Sequence, residues 1–135
     1  MPPSFRVRVL LRAELSPSED REKLLAAMTA VLGGTKGRAE QRGTTITVEH
    51  GSPECLYAMQ DQLRDRQVRG AARRRLVAGA SRGRTTVMVN RQAAAAGVIA
   101  LCDAAEESPL GPIYLTIESR DLDDVIEWLA GPPPG

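Results

Sequence analysis

The chain has 135 residues, and its 18 basic and 17 acidic side chains leave a formal net charge of +1. This length suits one domain with a substantial hydrophobic core. We therefore expect a single α+β domain over residues 1–130 and a disordered Pro/Gly tail over residues 131–135. Two cysteines and one histidine exclude a disulfide framework and the usual metal-ligand spacings. The apolar stretches are too short for a membrane span and no signal-peptide pattern is present, so we expect a cytoplasmic protein.

The first third of the chain shows strand and helix patterns in turn. From Phe5 to Leu11, apolar residues alternate with arginines, which predicts a strand with a basic wet face. Ser16 to Glu19 predicts the capped start of a helix that ends at Gly33-Gly34. Residues 38–50 predict a hairpin, because two short strand patterns flank Gly43.

A second cap signal at Ser52-Pro53-Glu54 predicts a long helix that runs into a basic segment. The segment from Leu63 to Arg91 contains nine arginines and one acidic residue, whereas the charged residues of the C-terminal quarter are mostly acidic. In this helix one face is apolar and another presents arginines, and Gly70 permits a kink or a break. Residues 78–83 predict a flexible, glycine-rich connection.

The second half of the chain predicts further strands and helices. Arg84 to Asn90 has a strand pattern, and Asn90 is placed to cap a short helix that ends at Gly97. Val98 to Cys102 is apolar enough for another strand. Ser108 to Pro112 predicts a rigid turn that delivers a strand over residues 113–118. Asp121 then opens a last helix, whose buried stripe is formed by Leu122, Val125, Ile126 and Leu129.

Clustered guanidinium groups are typical of phosphate binding, although a solvated or internally paired face is the alternative. The four aromatic side chains are too few for base stacking, so an RNA ligand would be bound through its backbone and shape. Arg6, Arg8 and Arg12 of the first strand could extend the contact. The N-terminus of the helix after Asn90, with Arg91 and Gln92, is a further candidate for a phosphate.

Four segments carry a resemblance that spans nearly the whole chain: RQVRGAARRRL, VNRQAAAAGVIAL, EESPLGPIYLTIES and DVIEWLA. In this order and spacing they resemble a family of small archaeal proteins that are predicted RNA-binding proteins or exosome subunits. The resemblance implies an α+β fold similar to the ribosomal large-subunit protein that binds 5S rRNA, with helices packed on one face of a mainly antiparallel or mixed sheet. Its polar positions fall on Arg64, Gln67, Arg73 and Gln92.

The sequence departs from that family's pattern at three places: the family has an aspartate in place of Gly70, an aromatic residue near Leu101, and a proline directly after WLA that is displaced here by Gly131. Loss of the aspartate weakens any charged catalytic pair beside Arg73. The sequence also has no phosphate-binding loop, metal cluster or nucleophile with a nearby base, so we expect neither catalysis nor a cofactor.

The leading hypothesis is therefore a non-catalytic RNA-binding module. The alternative is a protein-interaction module, in an exosome- or ribosome-associated complex or in a homodimer, that pairs the basic middle with acidic groups of a partner. The candidate contacts to RNA are Arg64, Arg66, Gln67, Arg69, Arg73, Arg74, Arg82, Arg84, Arg91 and Gln92.

Overall fold

The computed structural model describes residues 5–131, in which seven strands form one antiparallel sheet. The strand order is β2-β3-β1-β7-β5-β4, and β6 pairs with β5 beyond this path. The central pairs place Leu11 between Val48 on β3 and Leu115 on β7. The strands are β1 (Arg8–Glu14), β2 (Arg38–Arg42), β3 (Thr45–His50), β4 (Ala80–Ser81), β5 (Arg84–Val89), β6 (Leu101–Cys102) and β7 (Ile113–Glu118).

Alternation along the strands gives the sheet one buried face and one open face. On β1, Val9, Leu11 and Ala13 are buried, whereas Arg8 and Arg12 are exposed on the other side. The same alternation in β3, β5 and β7 lines up one apolar face, which packs into a core shared with the helices. The prediction of an α+β fold with helices on one face of an antiparallel sheet is confirmed.

Five helices complete the fold: α1 (Arg21–Val31), α2 (Tyr57–Asp65), α3 (Arg69–Ala78), α4 (Arg91–Ala95) and α5 (Leu122–Ala130). A 3-10 turn over Pro53–Leu56 leads into α2, and Ser52 caps it as predicted. The predicted stripe of α5 is buried. Gly79 ends α3 where a Cβ would lie 2.4 Å from the Thr86 carbonyl oxygen, so only glycine permits this close approach to β5.

The start of α1 differs from the prediction. The N-cap is Asp20, whose carboxylate accepts a hydrogen bond from the Glu22 N–H at 2.9 Å. Ser16 and Ser18 form a turn before the helix, in which Glu19 accepts a hydrogen bond from the Ser16 N–H at 3.3 Å and also pairs with Arg91. The glutamate of the predicted capping box therefore bonds Ser16, but Ser16 is not the N-cap, because the helix begins only after Asp20.

The predicted long helix is two helices, and the break precedes Gly70. Gln67, between α2 and α3, has a φ of 57° in the left-handed region, and the Val68 N–H bonds back to the Leu63 carbonyl at 3.1 Å. Gly70 itself lies in the first turn of α3. The break lets α3 turn toward α5 and β5 while α2 keeps Met59 and Leu63 in the core.

Other expected elements are shortened or only partly described. The connection over residues 78–83 contains the short strand β4, and only Leu101–Cys102 of the apolar stretch from Val98 is a strand. Asp121 precedes α5 without a capping bond from its side chain. Gly131 ends α5 with a φ of 80°, and residues 132–135 of the expected tail lie outside the described residues.

Candidate nucleic-acid interface

The arginines predicted to bind RNA do not form one patch, because several are committed to the protein itself. Arg64 pairs with Asp61 at 3.1 Å and with Asp65 at 3.3 Å. Arg66 donates to the Ile99 carbonyl at 2.8 Å, and Arg73 donates to the Gly131 carbonyl at 2.8 Å, at the C-terminus of α5. Arg66 and Arg73 therefore link distant segments, whereas Arg64 pairs only within α2, and the expectation of a common basic face is corrected.

Arg91 is the strongest departure from the sequence-based expectation. Its side chain is only 5% exposed, and Nη1 pairs with Glu19 at 2.6 Å and donates to the Glu14 carbonyl at 2.9 Å. The Gln92 side chain donates a hydrogen bond to the Pro109 carbonyl at 2.7 Å and so holds the loop that precedes β7. The sequence predicted that Arg91 contacts phosphate, and the structure corrects this expectation. The Arg91 guanidinium is buried and already paired with Glu19, so it is not available to a ligand in solution.

Three candidates on or near α3 remain exposed. Arg69 lies beside Gly131, Arg74 lies on the outer side of α3, and Gln67 occupies the left-handed turn before the helix. Within residues 5–131, neither Arg69 nor Arg74 has a carboxylate within ion-pair distance. The neighbouring Arg75 differs, because its Nε pairs with Asp103 at 2.7 Å. The helix thus offers two unpaired guanidiniums.

Five arginines meet instead at one end of the sheet, in a shallow groove of about 480 Å³ that we call the arginine groove. It brings together the start of β1, the β4–β5 turn and the residues after β7. Among the described residues, Glu118 is the only one with a carboxylate that lines it. Its arginines are Arg6, Arg8, Arg82, Arg84 and Arg120.

Local structure explains how distant parts of the chain meet here. Ser81 pairs with Arg84, so Arg82 and Gly83 form a two-residue hairpin turn with φ angles of 53° and 78°. Positive φ at both central residues is the mark of a type I′ turn. The Ser119 N–H donates to the Gly83 carbonyl at 2.9 Å, and its hydroxyl donates to the Arg6 carbonyl at 2.7 Å. Ser119 thereby ties all three segments together.

Two of the five arginines in the groove are neutralised. Glu118 pairs with Arg8 at 3.2 Å and with Arg84 at 3.5 Å. Arg8 also pairs with Glu49, and this hydrogen bond is the main cause that raises the pKa of Arg8 above its ordinary value. Among the described residues, Arg6, Arg82 and Arg120 have no carboxylate within ion-pair distance. The groove therefore keeps three unpaired positive charges.

Basic and acidic side chains are unevenly distributed around the groove. A second, adjoining groove shares Arg82, Gly83 and Arg120, but its far side is formed by Asp121, Asp123 and Asp124 at the start of α5. Arg82 and Arg120 thus form a ridge between a basic and an acidic surface. Simple electrostatics therefore favours an anion on the side that carries Arg6 over the side that carries α5.

Sequence reasoning missed Arg120 and treated Arg6 only as a possible extension. Both lie next to strand ends, and the pairing of β1 with β7 places Arg8 opposite Glu118. The signal in the sequence for this site was that Arg6 lies just before β1 and Arg120 just after β7, and that these two strands pair with each other. Without the strand order, nothing connected these residues to the β4–β5 turn.

Other kinds of site receive little support. No helix within residues 5–131 has the length and apolar character that a membrane crossing requires. Over the same residues, no three His, Cys, Asp or Glu side chains gather closely enough to hold a metal ion. Burial raises the pKa of the Cys55 thiol to about 12, so this cysteine is not a ready nucleophile.

Comparison with known proteins identifies relatives along nearly the whole chain, although no family model matches it. The UPF0201 protein of Metallosphaera sedula is 36% identical over 124 residues, which cover 91% of this chain and 87% of that protein. The UPF0201 protein of Aeropyrum pernix is 35% identical over 130 residues, with coverages of 94% and 87%.

Solved structures show the same fold. The crystal structure of a UPF0201 protein from Methanococcus jannaschii has a TM-score of 0.76 and 22% identity, and the match covers 95% of this chain and 96% of that one. A second crystal structure of an uncharacterised UPF0201 protein also has a TM-score of 0.76, with 19% identity and coverages of 95% and 97%. From these relatives and this shared fold, the chain belongs to the archaeal UPF0201 family of uncharacterised proteins.

Proposed function

We propose that the chain is a non-catalytic RNA-binding module of the cytoplasm, which holds the phosphate backbone of RNA in the arginine groove. The observation that carries this proposal is the convergence of Arg6, Arg82 and Arg120, unpaired among the described residues, on one concave surface. Arginine suits this role because its planar guanidinium stays charged and matches phosphate geometry with two hydrogen bonds. The exposed Arg69 and Arg74 are secondary candidates.

The aromatic side chains favour recognition of the backbone over base stacking. Trp128 contacts Phe5 and Tyr57 edge to face, with both ring centroids at 5.8 Å. The Tyr114 ring is covered by the Arg12 guanidinium at 4.8 Å from its centroid. All four aromatic residues of the chain are therefore engaged with other side chains. Readout by stacking needs free ring faces, whereas phosphate contacts do not.

The resemblance to predicted RNA-binding proteins and exosome subunits supports the same class of ligand. It also supports an assembly that contains RNA, such as an exosome or a ribosome, as the place where the chain acts. The expected likeness to the fold of a protein that binds rRNA is an analogy, and the groove is the stronger argument because it specifies residues.

The decisive experiment compares two variants with equal charge. The groove variant carries Arg6→Gln, Arg82→Gln and Arg120→Gln. The control carries Lys23→Gln, Arg38→Gln and Arg42→Gln, at three exposed positions outside the groove. Each variant loses three positive charges, so the formal net charge changes from +1 to −2 in both. Binding to a labelled structured RNA is measured by fluorescence anisotropy at low salt.

We expect the groove variant to lose at least about tenfold in affinity, since three phosphate contacts are removed, while the control loses much less. Equal losses would show that only net charge matters and would contradict the proposal. A third variant, Arg69→Gln with Arg74→Gln, tests the secondary surface. If this variant loses the most affinity, the footprint lies on α3 and the groove is not the site.

A further inference from the structure

Glu118 lines the arginine groove and lies between two of its arginines. Strand pairing places Arg8 of β1 directly opposite Glu118 of β7, and it places Arg84 of β5 opposite the same residue on the other side. The three side chains therefore form one row across neighbouring strands. Side chains opposite one another in a sheet are close enough to interact, so the strand register itself brings these charges together.

The contacts on the two sides of Glu118 are unequal. Towards β1, Arg8 donates a hydrogen bond to Glu118 at 3.2 Å and is also paired with Glu49. Towards β5, Nη2 of Arg84 lies 3.5 Å from the Glu118 carboxylate, which is longer than an ordinary hydrogen bond. Among the described residues Arg84 has no second carboxylate within ion-pair distance, so Glu118 alone balances its charge.

The pair of Arg84 and Glu118 is open to solvent, but it places a negative charge beside the guanidinium. The Arg84 side chain is 62% exposed, so its access to a ligand in solution is not restricted. A phosphate that reached this guanidinium would also come close to the Glu118 carboxylate, and like charges repel each other. Phosphate therefore has to displace Glu118 before it can accept the two parallel hydrogen bonds that arginine offers.

We infer that Glu118 sets the number of phosphates that the arginine groove holds, because it keeps Arg84 out of the contact. The inference rests on the proposed function, since it concerns the same groove and the same ligand. In the native chain the three unpaired arginines of the groove bind phosphate, and Arg84 adds no contact. Glu118 thereby lowers the affinity for polyanions in general, so that charge alone is not enough for tight binding.

The salt dependence of binding counts the phosphate contacts and so tests the inference. Glu118→Gln keeps the shape of the side chain but removes its charge, which leaves Arg84 free for a fourth phosphate. With the same labelled structured RNA, we expect the slope of log affinity against log salt to steepen by roughly 0.7–0.9, which corresponds to one further contact. The affinity at low salt should rise at least about threefold.

Two further variants separate the release of Arg84 from a change of net charge. Glu49→Gln is the matched control, because it also removes a carboxylate that pairs with Arg8 but lies outside the groove. Each single variant loses one negative charge, so the formal net charge changes from +1 to +2 in both. We expect Glu49→Gln to keep the native slope. The double variant, Glu118→Gln with Arg84→Gln, has the native net charge, and we expect it to return to the native slope.

Three results would overturn the inference: a native slope in Glu118→Gln, a steeper slope that persists in the double variant, or an equal steepening in Glu49→Gln. None of them affects the proposed function if the variant that lacks Arg6, Arg82 and Arg120 has lost affinity. If that variant binds RNA as the native chain does, the proposed function fails and the inference fails with it. Circular dichroism checks folding, which we expect to be kept because each substituted side chain is at least 31% exposed.

Discussion

Arg82 shows most clearly how a single residue links local conformation to the proposed function. It occupies the first central position of the type I′ turn between β4 and β5, with a φ of 53°. Asparagine, aspartate or glycine is the usual residue there, because an ordinary side chain is strained in the left-handed region. Arginine is strained at this position of the turn, but its guanidinium group binds phosphate well. The groove thus uses a residue that the hairpin itself does not favour.

Replacement of Arg82 by asparagine should separate stability from binding. The hairpin is relieved of strain, so we expect the free energy of unfolding to stay constant or to rise by up to about 1 kcal/mol. RNA affinity should fall, because one unpaired guanidinium leaves the groove. Urea unfolding and RNA titration measure the two effects on the same preparation. A less stable variant would show that the Arg82 side chain stabilises the fold. Unchanged RNA affinity would show that Arg82 does not contribute to binding.

At the scale of elements, the buried pair of Arg91 and Glu19 joins α4 to the segment between β1 and α1. Side-chain exposures of 5% and 12% leave both charges largely out of water. Arg91 also donates to the carbonyls of Glu14 and Pro112, while its Nε has no hydrogen-bond partner among the described residues. A buried charge depends on its partner, because desolvation penalises it once it is alone.

We therefore expect Arg91→Met to lower the free energy of unfolding by about 3–5 kcal/mol, since Glu19 then remains buried without a counter-charge. The double variant, with Glu19→Gln added, should recover part of this loss. Urea denaturation of the native chain and both variants gives the comparison. RNA affinity of the folded fraction should not change. Equal stability of the native chain and the single variant would mean that water already solvates Glu19.

For the whole molecule, binding of a polyanion must come from local charge, because the net charge is only +1. Each phosphate contact releases counterions and adds roughly 0.7–0.9 to the slope of log affinity against log salt. Three contacts from Arg6, Arg82 and Arg120 therefore predict a slope of about −2 to −3. Anisotropy titrations between low and moderate salt measure it. Affinity that ignores salt would remove the electrostatic basis of the proposal.

The elements were predictable wherever the signal was local. Alternation predicted β1 and β7, and the cap at Asn90, the stop at Gly33-Gly34 and the apolar stripe of α5 were all found. Errors came where a tertiary contact competed with a local signal. Ser16 was predicted to cap α1 together with Glu19, but Glu19 also pairs with Arg91 and the helix begins at Arg21, after the Asp20 cap.

The sequence by itself determined the α+β class, the apolar face of each strand and the concentration of arginines in the middle of the chain, since these depend on neighbours a few residues apart. Only the tertiary structure decided which arginines are available. Arg91 and Arg82 look alike in the sequence, yet one is buried against a carboxylate and the other lies on an exposed turn. The physical reason is that the availability of a charge depends on partners distant in the chain, and only the strand order brings those partners together.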